Sequence, residues 1–252
     1  MARRYALRDD QWERIKERLP GRAGTVGVTA PDNRGFVEAV LYRYRSGSAW
    51  RDLPERFGDW KNVHRRFSRW AQRGVWANLF KGLAEDADNE YAMIDSTIVR
   101  AHQHSAGAKK DGEDQAIGRS KGGLSTKINA VVDALGNPIC FCLTPGQACD
   151  LDGSDELLPG LEAKILLADK GYDADKRVLH PLREAGKESV IPPKRNRTEQ
   201  RPYDQELYKA RHLIENFFAK LKQYRALATR YDKTSRNFLA AVHLAAAVIW
   251  LN

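Results

Sequence analysis

"YAMIDSTIVRA", residues 91–101, is an apolar run interrupted by one carboxylate, Asp95. Its β-branched and aromatic side chains suit a pleated, half-buried surface, so it reads as a strand. A charge inside such a run must be paired or hold a cation, because an isolated carboxylate is too costly to bury. The α/β texture continues downstream. "STKINAVVDALGNPICFCLTPG" (125–146) reads as two strands joined by a turn at Leu135–Asn137, where Gly136 supplies permissive backbone. A short helix is expected over Ser154–Leu161, then an apolar strand in "KILLADKGY" (164–172) that ends in Asp169. "DADKRVLHPLREAG" (173–186) reads as helix and "ESVIPP" (188–193) as strand. The polar, basic-flanked stretch "GAKKDGEDQAIGRSKGG" (107–123) is expected to be a mobile loop.

Upstream the texture is different. Residues 1–85 hold five of the six tryptophans and show helical periodicity with little strand signal. "LRDDQWERIKERLP" forms a first helix stopped by Pro20 and a Gly-rich loop from Gly21 to Pro31, and "NRGFVEAVLYRYRSG" a second closed by Gly47. "WRDLPERFG" reads as a short helix or turn, and "DWKNVHRRFSRWAQRG" as a third helix ending at Gly74. In that helix Trp60, Val63, Phe67 and Trp70 share one face, while Lys61, Arg65, Arg66, Arg69 and Arg73 fill the rest. A short helix, a turn at Gly58 and a basic helix make a helix-turn-helix, whose second helix enters the major groove. Asn62, His64 and Arg65 are then placed to read bases, and Arg66, Arg69 and Arg73 to hold phosphates. An acidic stretch, Asp86–Glu90, separates this half from the strands.

The bulk numbers agree. With 42 Lys and Arg against 33 Asp and Glu, a formal charge of +9 points to an anionic partner, most economically nucleic acid. Three cysteines, Cys140, Cys142 and Cys149, lack zinc spacing and fit a reducing cytosol. The N-terminus has no apolar core of a signal peptide, and "FLAAVHLAAAVIWLN" (238–252) is too short to span a bilayer, so a cytoplasmic protein with a buried C-terminal helix is expected.

The last informative stretch is "YKARHLIENFFAKLKQYR" (208–225). On a continuous α-helix Leu207, Ala210, Ile214, Phe217 and Leu221 form the core stripe, and Tyr208, Arg211, Glu215 and Lys222 fall within roughly 60° of one another beside it. Glu215 thus joins Asp95 and Asp169 as a third oddly placed carboxylate. Three oxygen ligands suit Mg²⁺ or Mn²⁺. Two such ions about 3.5–4 Å apart activate a water or a 3′-hydroxyl and stabilise the departing oxygen in attack on a phosphodiester. No Ser-His-Asp or Cys-His arrangement and no Gly-rich phosphate loop competes, and the "HQH" at 102–104 is weak as a zinc pair.

Asp95 in "IDSTIVRAHQHSAGA", Asp169 in "LLADKGYDAD" and Glu215 in "RHLIENFFAKLKQYRALATRYDKT" resemble the three catalytic regions of bacterial DDE transposases of the insertion-sequence-five family. The polar stripe matches that family's Tyr-x2-Arg-x3-Glu-x6-Lys signature at all four positions, and the N-terminal helices resemble its DNA-binding region. The resemblance covers nearly the whole chain. It implies an α+β architecture: an all-helical helix-turn-helix domain over 1–85 and an RNase H-like α/β catalytic domain over 90–252. It further implies two Mg²⁺ ions, replaceable by Mn²⁺, on Asp95, Asp169 and Glu215, with Tyr208, Arg211 and Lys222 holding the transposon end. The expected partners are double-stranded DNA, as inverted-repeat ends and as target, and further copies of the chain in a homodimer or larger assembly, with no membrane. The short interval from Asp169 to Glu215 leaves no room for the large β-rich insertion of some related transposases. Two other readings stand beside an active transposase: a nuclease that cleaves without joining, and a DNA-binding regulator that has lost activity.

Overall fold

The computed structural model describes residues 5–22, 29–107 and 115–252. Most of the Gly-rich loop after Pro20, and residues 108–114 of the loop expected to be mobile, lie outside the described residues. The helices are α1 (Asp9–Lys16), α2 (Asn33–Ser46), α3 (Trp60–Gln72), α4 (Val75–Ala84), α5 (Asp150–Leu157), α6 (His180–Glu184), α7 (Gln205–Tyr208), α8 (His212–Lys222), α9 (Arg225–Ala228) and α10 (Ser235–Trp250). The principal strands are β1 (Tyr91–Ala101), β2 (Gly118–Ser120), β3 (Gly123–Val132), β4 (Pro138–Pro145), β5 (Ile165–Leu167) and β6 (Glu188–Val190). N-terminal helices followed by a mixed sheet make the α+β class. By contact the chain divides into two compact units that no single cut separates: residues 1–85, 103–111 and 221–252 form one, and 86–102 and 112–220 the other.

In the first unit, caps set the helix ends. Asp32 accepts from the Gly35 amide at 2.7 Å at the start of α2, and Asp59 from the Lys61 amide at 2.8 Å at the start of α3. The Gly58 turn is present at φ +79°, where a side chain would be strained. The segment before it, read as a short helix or turn, is two single 3₁₀ turns, Trp50–Asp52 and Glu55–Phe57. Pro54 removes an amide donor and keeps Leu53 extended at ψ 129°, so no α-helix can run through. Phe36, Phe67, Trp70 and Trp76 pack with ring centroids 5.0–6.0 Å apart. The expected buried helix is α10, which packs on α4 and α3 and is apolar on nearly every side. Its His243 stacks on Phe80 at 5.3 Å, and burial pushes its pKa down to about 4.

The second unit holds a mixed sheet. β1 pairs antiparallel with β3 and parallel with β5, β5 parallel with β6, and β4 and β2 antiparallel with β3. Three antiparallel strands continued by two parallel ones give the RNase H-like order β4-β3-β1-β5-β6. Ala92, Ile94, Leu166 and Ala168 bury themselves under Leu157, Tyr172, Val178 and Leu182. α5 begins four residues before the expected Ser154, at Asp150, because Asp152 reaches back to the Cys149 amide at 3.0 Å; Pro159 lies in the 3₁₀ turn that follows.

Asp173, its side chain fully buried, fastens the segment after β6. It accepts from the Lys194 amide at 2.7 Å, from Arg197 Nε at 2.5 Å and from Arg201 Nη2 at 2.5 Å. Burial, the largest single influence, pushes its pKa up, but the arginine contacts and the amide together hold it below the ordinary carboxylate range. A depressed carboxylate contributes stability that is complete above its unfolded-state pKa of about 3.9 and is lost as pH falls through the folded value. Asp173→Asn is therefore expected to unfold at lower urea than the parent at pH 7, with the gap narrowing below about pH 4. A gap unchanged between pH 7 and pH 3 would contradict this assignment.

Candidate active site

The strand register builds the site. β1 and β5 pair in parallel with Ala92 opposite Leu166 and Met93 opposite Leu167. Continued two residues beyond the ladder, the same register brings Asp169 beside Asp95, on neighbouring rows about 4.8 Å apart. Side chains alternate along a strand, so both aspartates face away from the core built on Ala92, Ile94, Leu166 and Ala168. Asp169 then leaves the sheet. Its Oδ1 accepts from the Gly171 amide at 2.7 Å and caps the 3₁₀ turn Lys170–Tyr172. A Cβ on Gly171 would stand 2.8 Å from that oxygen, so the glycine lets the carboxylate fold over its own turn.

α8 supplies the other wall. Phe217 stacks on Phe141 at 5.8 Å, and Phe141 on β4 lies opposite Ala130 of β3, itself the partner of Asp95. The expected continuous helix over 208–225 is broken: Lys209–Arg211 is a 3₁₀ turn between α7 and α8. In a 3₁₀ turn residues three apart eclipse. Tyr208 and Arg211 are accordingly aligned, Arg211 Nη1 donating to the tyrosine oxygen at 3.3 Å and Nη2 to Asp95 Oδ2 at 2.7 Å.

Asp95 is half-buried. Its Oδ1 accepts from the Ser96 amide at 2.7 Å. Burial, foremost, pushes its pKa up, and the charges of Asp169 and Asp150 add to this, while the Ser96 amide and Arg211 oppose. Tyr172 carries a buried hydroxyl with no hydrogen-bond partner among the described residues. Burial pushes its pKa upward, as do the charges of Asp150, Asp95 and Asp169.

The structure thus brings together Asp95, Asp169, Arg211 and Tyr208. Glu215 stands one turn beyond Arg211 on α8, solvent-exposed. Among the described residues no three His, Cys, Asp or Glu side chains already converge as a metal-ligand set. Lys222 closes α8, also exposed. On α3, Lys61, Asn62, Arg65 and Arg69 are exposed, as is Arg73 at its C-cap. His64, in contrast, packs edge-on to Trp50 at 5.1 Å, and Arg66 lies 4.2 Å over Phe36 and 4.7 Å over Trp70 while bonding Asn33. Sequence reasoning passed over Lys127, Asp150, Ser96 and Tyr172. Lys127 carried a signal, since a charge in the apolar run "STKINAVV" poses the same question as Asp95.

Comparison with known proteins decides the family. Residues 7–80 match a family model described as "Putative transposase of IS4/5 family", and residues 88–250 match "Transposase DDE domain". A Brucella ovis protein described as "Putative transposase for insertion sequence element IS6501" is 42% identical over 132 residues, 51% of this chain and 99% of that protein. The Sinorhizobium fredii protein y4sN, of no stated function, is 56% identical over 106 residues, 41% of this chain and 83% of its own. Among solved structures, a Mos1 transposase paired-end complex with left transposon end shares 12% identity at a TM-score of 0.28, over 85% of this chain and 86% of that one. A likeness of that degree is too slight to build on, and the assignment rests on the family models and the relatives. The DDE model spans well over half of the sequence and takes in Asp95, Asp169 and the α8 signature together, and the chain belongs to the DDE transposases of the IS4/5 type.

Proposed function

We propose that the chain binds the terminal inverted repeats of an insertion sequence, cleaves the DNA strands at its ends and joins the 3′-hydroxyl ends to target DNA. The observation that carries this is the contact of Arg211 with Asp95, at a point where the β1–β5 register, extended beyond its ladder, sets Asp169 alongside. The donor set fits divalent cations. Two adjacent carboxylates offer hard oxygens, and Asp95 already lies against a cationic group, the Arg211 guanidinium. Asp95 and Asp169 would hold the ions and Glu215 would complete the set. Two Mg²⁺ ions held there would supply Lewis acidity for activating a water or 3′-hydroxyl and for stabilising the leaving oxygen.

The chain's own residues do the rest. Arg211 lays its guanidinium on Asp95, and the same planar fork matches a phosphate. On binding a transposon end it turns from Asp95 to the backbone near the scissile bond, with Tyr208 at its side. Lys222, two turns beyond Glu215 on α8, holds the strand further on. On α3 and its C-cap the exposed Asn62 and Arg65 read bases, and Lys61, Arg69 and Arg73 hold phosphates; His64 and Arg66, engaged by aromatic rings, shape the helix surface and meet DNA from there. The net charge of +9 supplies the salt-sensitive part of binding. The assembly on DNA is a homodimer or larger and works in the cytoplasm.

The test is a joining assay. Full-length protein, a labelled inverted-repeat end with a free 3′-hydroxyl and a target plasmid are incubated with Mg²⁺ or Mn²⁺. Covalently joined product is expected. Cleaved but unjoined ends would favour the nuclease reading, and no preference for the repeat over random DNA would remove the end-binding role.

A further inference from the structure

On the sheet face opposite Asp95, β1 and β3 carry an ionic cluster that no chemistry described above uses. Lys127 on β3 lies across from Ile98, and Asn129 across from Ser96, so Ser96 and Lys127 project from the same face. The Lys127 ammonium is buried. It donates to the Ala148 carbonyl at 2.6 Å and to Asp150 Oδ1 at 2.7 Å. The same carboxylate oxygen accepts from the Ser96 hydroxyl at 2.6 Å, and the Ser96 amide donates to Asp95 Oδ1 at 2.7 Å. Ser96 therefore joins the two carboxylates, its hydroxyl to Asp150 and its amide to Asp95.

A buried lysine costs more than an apolar side chain of similar size, so packing alone does not account for it. What it achieves here is order. Lys127 and Asp150 tie the first residue of α5 to β1 at the peptide whose N–H fixes the Asp95 carboxylate. We infer that Ser96, clamped by Asp150 and Lys127, is a positioning residue that sets the Asp95 carboxylate for cation binding. The inference rests on the proposed reading of Asp95 and Asp169 as cation ligands. Outer partners that orient ligands govern metal affinity by about 10–100-fold.

The test uses full-length protein without DNA, titrated with Mn²⁺ and followed by electron paramagnetic resonance, beside thermal melting. Ser96→Ala deletes the hydroxyl and leaves the amide. Its Mn²⁺ affinity is expected to fall about tenfold with melting little changed, and Ser96→Thr, which keeps the hydroxyl in a strand-compatible side chain, restores it. Asp150→Asn keeps an acceptor for Ser96 but removes the charge facing Lys127, so it is expected to lose both affinity and thermal stability. Wild-type affinity in Ser96→Ala, with or without a lowered melting temperature, would overturn the inference and leave the cation site standing. Asp169→Asn serves as the control: if Mn²⁺ binding in the parent does not depend on Asp169, the reading of the site falls and the inference falls with it.

Discussion

Asp169→Asn is expected to lower strand cleavage and joining by at least about a thousandfold while binding of end DNA and the melting temperature stay close to those of the parent. The substitution is nearly isosteric. An asparagine carbonyl can still accept from the Gly171 amide, so the 3₁₀ turn at Lys170–Tyr172 keeps its cap. The β1–β5 register is set by backbone pairing at 91–93 and 165–167 and is unaffected. What disappears is one of two adjacent negative charges, which is what a pair of divalent ions requires. The loss should exceed the about 10–100-fold typical of groups that only orient a ligand. One side effect has a defined sign: Asp169 is among the charges that push the Asp95 pKa up, so the variant leaves Asp95 easier to ionise and the defect cannot be blamed on a protonated partner. Single-turnover cleavage of a labelled end at saturating protein measures the effect. Activity within tenfold of the parent would remove Asp169 from the chemistry.

Both aspartates could be found in the sequence for the same physical reason: a carboxylate in or at the end of a short apolar run has few uses other than a cation or an ion pair. The strands around them were equally visible, since β-branched runs and the Gly136 turn are local signals. The break at Lys209–Arg211 was hidden, because over a single turn an apolar stripe at three- and four-residue spacing suits a 3₁₀ and an α-helix alike. Nor does local pattern show that residues 221–252 pack with the N-terminal helices, or that Lys127, Asp150 and Ser96 meet. Those facts follow from strand pairing and helix packing between distant segments. His64 is a further case: its ring packs edge-on to Trp50, fourteen positions earlier, a contact no local pattern on the basic helix announces.

Glu215→Gln separates the two meanings of the carboxylate on α8. Glu215 is exposed, one turn from Arg211, and among the described residues it makes no hydrogen bond or ion pair with another side chain. If it served only to balance the charge of its helix, removing that charge would change stability by well under about 1 kcal/mol and leave activity intact. A third cation ligand predicts something else. The substitution would keep α8, its apolar stripe and the Arg211–Asp95 contact, and remove only a charged oxygen donor that becomes engaged once cations and a transposon end are in place. Cleavage and joining are then expected to collapse by a factor comparable to that of Asp169→Asn, with end binding and melting preserved. Exposure in the free chain is compatible with this role, since an unengaged side chain on a fixed helix needs only a change of rotamer to reach a new partner. The decisive observation is joined DNA: if the Gln variant, folded by its melting curve, yields it at a rate near that of the parent, Glu215 is a solvated charge and the third ligand must be sought elsewhere on the Asp95 face.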